Sequence, residues 1–291
     1  MFFKKIHWLI LYNKDIVMNN ITVVIHTYNE EKNIEDCIKS AWLLIKNVLV
    51  IDMESEDKTT TIVKNLQILI YNFPKSSYVE PAREFGIKQV KTDWVLILDA
   101  DERISKELAE EILNVIASEA KQSQSKQEIA SSPSAPRNDN VTHFKIPRKN
   151  IFGQIKWLKH GGWWPDYQIR LINKKYFVNW PKRIHSTPKI KGGLGCLKNH
   201  LIHYFHGNLE KMVEKTVVFE DIESDLLYKA GKTANTPTFL RKYFAEFYRR
   251  MFKDLGFLDG TIGIIESIYQ AFSKTITYLF LYEKNSKSRT L

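Results

Sequence analysis

The chain has 291 residues, of which 44% are hydrophobic and 26% are charged, and its formal net charge is +10. This composition is typical of a globular protein and excludes a largely disordered or transmembrane chain. The two cysteines, Cys37 and Cys196, form no CxxC pair, so neither a disulfide framework nor a zinc site is predicted and a reducing cytoplasm fits best. The positive charge favours anionic partners: phosphate-bearing small molecules, an acidic membrane surface or nucleic acid.

Residues 1–17 precede the first predicted strand. Lys4 and Lys5, followed by IHWLILY, faintly resemble a signal sequence, but the apolar run is short and no small-residue cleavage site follows. We therefore interpret residues 1–17 as a dispensable extension, with Met18 as a candidate start.

From Ile21 onward, short apolar strands alternate with amphipathic helices. Strands are predicted at ITVVIH, NVLVID, QILIY and WVLILD, and helices between them at 31–45, 57–65 and 80–91. This alternation predicts right-handed βαβ units and therefore an α/β fold with a Rossmann-like, mostly parallel sheet flanked by helices.

Composition changes sharply after the next predicted helix, which runs from Lys106 to about Ser118 and is capped by Ser105. Residues from about 119 to 141 are rich in Ser, Gln, Lys and Pro and nearly free of large apolar residues. Burial cannot offset the entropy that ordering such a segment costs. We predict a disordered surface insertion there, and it resembles a translated mobile repeat element.

The last part of the chain predicts three helices, at 209–230, 238–253 and 261–282, without an apolar run long enough to span a bilayer. The predicted organisation is therefore an α/β domain over 18–207 and a helical region over 208–291. The helix at 238–253 interleaves aromatic residues with Arg and Lys. This pattern suits either a membrane interface rich in anionic lipid or a helix packed on the core with a solvated basic face.

Polar and acidic residues follow three of the predicted strands. WVLILD continues into Asp101 and Glu102, and side chains two apart on an extended backbone, such as Asp99 and Asp101, can converge on one hard divalent cation. HTYNEE lies at the end of the first strand, and Asp52 ends the second. Parallel strands end at the edge where open α/β sheets bind ligands, so these residues predict a nucleotide and cation site. Each loop taken alone also fits an ordinary turn or helix cap.

Four motifs resemble a family-2 glycosyltransferase of the GT-A fold: TYNEE, the DxxSxDxT run from Asp52 to Thr59, Arg83 within AREFGI, and DADE. The later segments KHGGWWPDYQIRL, IHSTP, LKNHLIHY and GFLDG are similar to the bacterial subgroup that includes lipopolysaccharide core beta-glucosyltransferases. The resemblance runs from Ile21 to about Tyr282 and is interrupted by the insertion.

The resemblance implies an inverting transfer of a hexose from a nucleoside-diphosphate sugar, with UDP-glucose expected, to a lipid-linked or lipopolysaccharide-type glycan. It implies donor-binding residues at Thr27, Tyr28, Glu30, Asp52, Ser55, Arg83 and Asp99. The expected cofactor is a divalent cation, Mg²⁺ or Mn²⁺, on Asp99 and Asp101, with His185 as a candidate third ligand. The expected location is the cytoplasm, with peripheral attachment to the inner membrane as an alternative. No nucleic-acid-binding motif accompanies the basic charge.

The general base is predicted at Asp166 within GGWWPDYQ. Glycines there allow a loop and Pro165 stiffens it, so that a carboxylate can face a sugar held at DADE. Glu102 is the competing candidate because it adjoins the metal pair. Asp166 alternatively caps a turn or pairs with Arg170.

The chain departs from the family pattern at Met53 and Glu54, where Ser-Gly is usual, at Glu84, where Asn is usual, and at Ser186, where Glu is usual. Glu54 in place of glycine is expected to crowd the ligand or forbid a positive φ. These departures leave open a catalytically silent homologue that acts as a membrane-associated assembly subunit. A nucleotidyltransferase of related fold is the third hypothesis. Such an enzyme is expected to carry a glycine-rich phosphate loop near its first strand, and HTYNEEKN has no glycine.

Overall fold

The structure is a computed structural model that describes residues 20–128, 141–184, 186–205 and 209–287. The chain divides into two compact units. Unit 1 contains the residues up to Pro147 and Tyr167–Ile202, and unit 2 contains Arg148–Asp166 and the residues from His203 onward. This division differs from the predicted boundary at 207, because Arg148–Asp166 belongs to the same unit as the C-terminal helices. The predicted extension at 1–17 lies outside the described residues.

Unit 1 begins with alternating strands and helices. The strands are β1 (Ile21–Thr27), β2 (Val48–Asp52), β3 (Leu69–Asn72) and β4 (Trp94–Asp99), and the helices between them are α1 (Ile34–Ala41), α2 (Thr59–Asn65) and α3 (Glu80–Gln89). β3, β2, β1 and β4 lie side by side in that order and are parallel. The predicted βαβ units and α/β class are confirmed.

The remaining strands extend the sheet. They are β5 (Glu102–Ile104), β6 (Val141–Phe152), β7 (Lys156–Trp157), β8 (Asp166–Asn173), β9 (Phe177–Asn179), β10 (Lys189–Ile190), β11 (Gly193–Cys196) and β12 (Leu201–Phe205). The sheet order is β3-β2-β1-β4-β8-β6-β12-β5, with β7 and β11 also paired to β6, while β9 and β10 form a separate pair. β8 runs antiparallel to β4, so the contiguous parallel part that starts at β3 ends at β4.

Both faces of β1, β2 and β4 are buried, which explains why these strands are continuous apolar runs instead of alternating ones. All residues of β1 and β2 are buried. On one face, β1 and β4 pack with α1 in a cluster that includes Val23, Ile38 and Leu96. On the other face, Val24 and Ile97 pack with residues of α3.

Helix α4 (Lys106–Glu128) is longer than predicted. Its start is confirmed, since Ser105 Oγ accepts the backbone N–H of Leu108 at 3.2 Å. The helix continues past Ser118 into the segment predicted to be disordered. Ala, Glu, Lys and Gln at 119–128 are strong helix formers, and a helix already anchored by a buried apolar face can continue through them. Residues 129–140 lie outside the described residues.

Unit 2 contains helices α5 (Leu209–Lys229), α6 (Thr236–Tyr248) and α7 (Gly260–Lys287). A π-helical turn (Arg249–Lys253) and a 3-10 turn (Gly256–Asp259) connect α6 to α7. α5 and α6 both pack against α7. The predicted C-terminal helical region is confirmed, and in the part of the chain that the structure describes no helix is long and apolar enough to cross a membrane.

Close packing of α3 on the sheet depends on Gly86. A Cβ atom at Gly86 would lie 2.8 Å from Val24 Cγ1, 3.0 Å from Ile51 Cγ1 and 3.1 Å from His26 Nε2. These atoms belong to buried side chains and cannot move away freely. Helix α3 carries Arg83, so its distance from the sheet also sets the position of that guanidinium group.

We predict that Gly86→Ala lowers the free energy of unfolding by about 1–3 kcal/mol, because it overpacks the interface between α3 and the sheet. Gln89→Ala is a matched control in the same helix, since it removes atoms instead of adding them, and its effect should be smaller. Urea denaturation measures both values. A Gly86→Ala variant as stable as the wild type would show that α3 can move away from the sheet at little cost.

Candidate active site

The predicted donor-binding residues of unit 1 meet at the carboxyl ends of the parallel strands. Thr27 lies opposite Asp52 in the register of β1 with β2. His26 lies opposite Asp99 in the register of β1 with β4. The three strand ends therefore bring the TYNEE loop, the DxxSxDxT loop and DADE to one edge of the sheet, as the strand pattern predicts.

The loops after β1 and β2 hold each other through hydrogen bonds. Three backbone N–H groups of the first loop donate to side chains of the second: Asn29 to Ser55 (2.9 Å), Glu30 to Thr59 (2.9 Å) and Glu31 to Asp57 (3.0 Å). Two N–H groups of the second loop donate in return: Glu56 to Asn29 (2.8 Å) and Lys58 to Glu31 (3.1 Å). We call this reciprocal set the loop clamp. It explains why Ser, Asp and Thr recur in the DxxSxDxT run, a role that the sequence prediction missed.

Asp52 and Thr27 present buried oxygen atoms at this edge. Asp52 is 2% exposed, and its Oδ2 accepts the N–H of Ser55 at 3.0 Å. Within the described part of the chain, Asp52 Oδ1 and Thr27 Oγ1 have no hydrogen-bond partner. A buried polar atom left unsatisfied costs about 1–3 kcal/mol. Both atoms are therefore suited to bind donor groups of a ligand.

Glu54 is accommodated with the backbone conformation that a glycine would adopt. Its φ is 61°, and its carboxylate accepts the backbone N–H of Lys75 at 3.2 Å. Lys75 Nζ in turn lies 4.6 Å from the centroid of the Tyr28 ring. The expectation that Glu54 forbids a positive φ is therefore wrong. The hydrogen bond from the Lys75 N–H offsets part of the roughly 1–2 kcal/mol that the left-handed conformation costs.

Asp99 is held by two arginines. Arg83 Nη2 lies 2.9 and 2.7 Å from its two carboxylate oxygens, and Arg170 Nη2 lies 2.6 Å from Oδ2. Burial by itself would raise the pKa of Asp99, but the guanidinium groups of Arg170 and Arg83 outweigh it and hold the pKa well below its usual range. Asp99 is therefore an ionised carboxylate whose charge is already compensated by the protein.

Glu102 completes this ion cluster. It is fully buried, its Oε1 accepts from Arg170 at 2.6 Å, and its Oε2 accepts the backbone N–H of Asp99 at 3.0 Å. Glu102 thereby supports the turn that follows β4. A carboxylate in this position is poorly placed to meet an acceptor, although it was the competing candidate for the base.

The sequence prediction missed the role of Arg170, which it considered only as a partner of Asp166. Arg170 is 1% exposed, and although burial lowers its pKa, Asp99 and Glu102 raise the pKa above its ordinary value. Its position follows from the antiparallel register of β8 with β4. Leu171 lies opposite Leu96, so Arg170 lies one residue closer to the carboxyl end of β4, where Asp99 is located. An arginine within the apolar run IRLI of β8 was the available signal, since such a charge must be paired when it is buried.

Glu84 supports Arg83 through a tryptophan. Its carboxylate accepts the backbone N–H of Trp180 at 3.3 Å and pairs with Lys88 at 2.5 Å. The hydrogen bond from Lys88 lowers the pKa of Glu84. Trp180 is buried, and its ring centroid lies 5.3 Å from Arg83 Cζ. Its indole N–H donates to the carbonyl of Ser186 at 3.0 Å. Glu84 and Ser186 thus both contact Trp180, whose ring packs on the arginine.

The predicted metal ligands do not converge among the residues that the structure describes. No group of three His, Cys, Asp or Glu side chains there could hold a metal ion, and Asp99 is turned towards its arginines. His185 lies outside the described residues. Asp101 occupies the turn after β4 as a half-buried carboxylate. This fits a Mg²⁺-like ion bound by one or two carboxylates, substrate phosphates and water, and not one enclosed by protein ligands.

Asp166 lies in unit 2, as the first residue of β8. Its Oδ2 accepts from Arg148 Nε at 2.8 Å, Arg148 Nη2 at 2.6 Å and Asn150 Nδ2 at 3.2 Å. Asn150 is fully buried, and its Oδ1 lies 2.6 Å from His203 Nδ1. The arginine partner of Asp166 is therefore Arg148 and not Arg170. The Asp166 side chain retains 22% exposure, so the ion-paired carboxylate remains accessible.

Comparison with known proteins identifies the family. Residues 22–179 match the family described as Glycosyl transferase family 2. The chain belongs to the family-2 glycosyltransferases. An uncharacterized glycosyltransferase of Rickettsia typhi is 28% identical to this glycosyltransferase over 94% of the chain and 90% of its own length. The lipopolysaccharide core biosynthesis glycosyltransferase LpsC of Rhizobium meliloti is 21% identical over 89% and 90%, respectively.

A solved structure of S. aureus TarS 1-349 in complex with UDP-GlcNAc is also similar to this glycosyltransferase. The match is 15% identical, covers 92% of each chain and has a TM-score of 0.40.

His26 is a further titratable group at the site of this glycosyltransferase. It is buried, with its ring nitrogens 3.4 Å from the carbonyl of Leu98 and 3.2 Å from that of Ala82. Burial, followed by the nearby Arg83, lowers the pKa of His26 from 6.5 to about 4. The ring is therefore neutral at pH 7 and gains a proton on unfolding in mild acid.

We predict two separate ranges of acid destabilisation. His26 has a lowered pKa in the folded state, so its contribution is complete above pH 6.5 and is lost as the pH falls towards 4, with a slope of at most about 1.4 kcal/mol per pH unit. The contribution of Asp99, whose folded pKa is also lowered, is present above its ordinary value of 3.8 and is lost below it. Urea denaturation across acidic pH measures both slopes.

His26→Gln should flatten the upper range and leave the lower one, whereas Asp99→Asn should do the reverse. An unchanged slope between pH 6.5 and 4 in His26→Gln would show that another group accounts for the acid sensitivity.

Proposed function

We propose that this glycosyltransferase moves a hexose from a UDP-sugar, expected to be UDP-glucose, to a lipid-linked or lipopolysaccharide-type glycan, with inversion at the anomeric carbon. The observation that carries the donor assignment is the pair of buried, unsatisfied acceptors Asp52 Oδ1 and Thr27 Oγ1. The similarity to LpsC over 89% of the chain supports the acceptor class. The proposed location is the cytoplasmic side of the inner membrane.

In this proposal the nucleoside binds at the ends of β1 and β2. The uracil N3–H and the ribose hydroxyls supply the donors that Asp52 Oδ1 and Thr27 Oγ1 require. Tyr28 provides an aromatic surface beside them, and Glu30 in the clamped loop is a further acceptor for the ribose. Ser55 acts indirectly, because its Oγ is the acceptor for Asn29 and its own N–H orients Asp52.

The diphosphate and sugar lie towards β4 in this proposal. Arg83 contributes positive charge on the diphosphate side, and Asp99 faces the sugar. Asp101 would bind the divalent cation, Mg²⁺ or Mn²⁺, together with diphosphate oxygens. When bound, that cation neutralises the charge that develops on the leaving diphosphate.

Asp166 is the proposed general base. It would take the proton of the acceptor hydroxyl as that oxygen attacks the anomeric carbon, whose bond to the UDP oxygen breaks with oxocarbenium character. Arg148 and Asn150 donate hydrogen bonds to the Asp166 carboxylate, and His203 in turn bonds to the Asn150 side chain. This support restricts the carboxylate to one orientation. Glu102, with both oxygens bonded inside the ion cluster, is less suited to the role.

No observation favours the two other readings. The substitutions that suggested a silent homologue are accommodated: Glu54 has a positive φ and contacts Lys75, and Glu84 supports the Trp180–Arg83 contact. Membership of the glycosyltransferase family argues against the nucleotidyltransferase hypothesis.

We predict that Asp52→Asn weakens UDP binding by about tenfold or more, because the ligand loses a hydrogen bond to a charged acceptor. Asp101→Ala should retain metal-free UDP binding and lose its enhancement by Mn²⁺. Asp93→Asn is the matched control, since this exposed aspartate lies just before the opposite end of β4 and should leave both unchanged. Isothermal titration calorimetry with UDP, with and without Mn²⁺, measures these effects. Wild-type affinity in Asp52→Asn would contradict the nucleoside assignment.

We predict that Asp166→Asn lowers turnover by roughly two to four decades while UDP binding stays near the wild-type value, because shape is retained and basicity is lost. Release of UDP from UDP-glucose in the presence of a lipopolysaccharide core acceptor measures turnover. Glu102→Gln is the comparison variant, checked for folding by its melting temperature. Near-normal turnover in Asp166→Asn, with a folded but inactive Glu102→Gln, would move the base to Glu102.

A further inference from the structure

Helix α7 of unit 2 has an unusual distribution of polarity. The residues that it buries include many small or polar ones, among them Gly263, Glu266, Ser267, Ser273, Thr275 and Thr277. Six of its large apolar side chains are 39 to 56% exposed: Ile264, Ile265, Ile268, Phe272, Leu279 and Tyr282. Its exposed charged side chains, Glu283 and Lys287, lie near its C-terminal end. A surface helix of a protein surrounded by water normally shows the opposite arrangement.

Hydrogen bonds hold the buried side of α7 against α5. Ser273 Oγ donates to Glu220 at 2.6 Å, Thr277 Oγ1 donates to the same carboxylate, and the hydroxyls of Thr216 and Tyr269 lie 2.7 Å apart. Helices that associate in apolar surroundings use such polar contacts, because burying more apolar surface between them gains little there.

Glu266 is a further polar residue on the buried side of α7. It is 1% exposed. Burial raises its pKa to about 7, against smaller lowering contributions from Gln270 and Arg250. A substantial fraction of this carboxyl is therefore neutral near pH 7.

Helix α6 and the connection between α6 and α7 also carry exposed apolar side chains. They include Phe244 (60% exposed), Tyr248 (63%), Phe252 (51%), Leu255 (43%), Phe257 (43%) and Leu258 (55%). We call these residues, together with the exposed apolar residues of α7, the apolar face of unit 2. Most of the exposed large hydrophobic side chains in the described part of the chain belong to unit 2. Exposed apolar surface on this scale marks a binding surface or an aggregation hazard.

Basic side chains accompany the apolar face. Arg241 follows Leu240 and Lys253 follows Phe252, and both basic side chains are exposed. Arg249 and Arg250 have internal roles instead. Arg249 pairs with Glu246 and Asp254, and Arg250 pairs with Glu246 and bonds to the carbonyl of Gly161 at 2.9 Å. Arg241 and Lys253 are therefore the better candidates for contact with an anionic surface.

We propose that unit 2 docks on an anionic lipid bilayer through its apolar face, with Arg241 and Lys253 at the lipid headgroups. Isoleucine, leucine and phenylalanine side chains enter the boundary between headgroups and acyl chains, while tyrosine hydroxyls and basic groups remain at the polar level. This mode requires no helix to span the bilayer. The net charge of +10 complements anionic lipid and opposes the association of two like-charged copies. The proposal goes beyond sugar transfer, because it assigns a lipid-binding surface to residues that take no part in the donor site.

The test is vesicle flotation with the full chain. Phosphatidylcholine vesicles containing phosphatidylglycerol should bind the wild type at low salt, and pure phosphatidylcholine vesicles should bind it less. Phe252→Ser/Leu258→Ser should lower the partition coefficient by about tenfold or more, because two apolar side chains are removed from the lipid contact. The matched control is Leu43→Ser/Leu69→Ser in unit 1, where the side chains are 55 and 59% exposed. It should bind like the wild type.

A charge-matched pair separates local from overall electrostatics. Arg241→Glu/Lys253→Glu should weaken binding to the anionic vesicles at low salt, and Lys91→Glu/Lys191→Glu, which changes the net charge equally at exposed positions of unit 1, should not. Equal losses in the two variants would overturn the assignment of the surface.

Absence of vesicle binding, together with a dimer in light scattering that Phe252→Ser/Leu258→Ser dissociates, would replace lipid by a second copy of the chain. UDP affinity should be unchanged in every variant, so this test is independent of the donor site.

Discussion

The ion cluster of Asp99, Glu102, Arg83 and Arg170 is the interaction on which the rest of the site depends. Two carboxylates and two guanidinium groups balance each other with little access to water. Loss of one member leaves a buried charge uncompensated, which typically costs about 3–5 kcal/mol. The cluster joins α3, the end of β4, β5 and β8, so the position of Asp101, the proposed cation ligand two residues beyond Asp99, is set by neighbouring ion pairs.

The departures from the family pattern are compensated by neighbouring residues. Glu54 adopts a left-handed backbone, and its carboxylate gains the N–H of Lys75. Glu84 pairs with Lys88 and accepts the N–H of Trp180, whose ring packs on Arg83. In both cases an acidic side chain replaces a smaller or neutral one and acquires a partner close to the site. These substitutions therefore alter how the site is supported and do not remove its charged groups.

Local pattern was sufficient to predict the parallel sheet and the edge that carries the site. Apolar runs of strand length recur between amphipathic helices, and parallel strands must end on the same side. The pairing of Arg170 with Asp99 could not be predicted in this way, because it depends on the antiparallel register of β8 with a strand far away in the sequence. The same limit applies to α7, where periodicity reveals an apolar stripe but not whether the stripe faces the protein or its surroundings. The sequence pattern predicts too short an α4, because residues 119–128 have low hydrophobicity but include many strong helix formers.

The loop clamp has a consequence for the kinetics of donor binding. A flexible loop that orders around its ligand loses conformational entropy on binding, at a cost of roughly 1–2 kcal/mol for each residue fixed. The backbone N–H groups of Asn29, Glu30 and Glu31 donate to side chains of the second loop. Because these hydrogen bonds form during folding, the loops lose this entropy before a donor binds. The proposed nucleoside end of the site is thus ordered by the loop clamp itself. Donor association at this end should therefore require no rearrangement of these two loops.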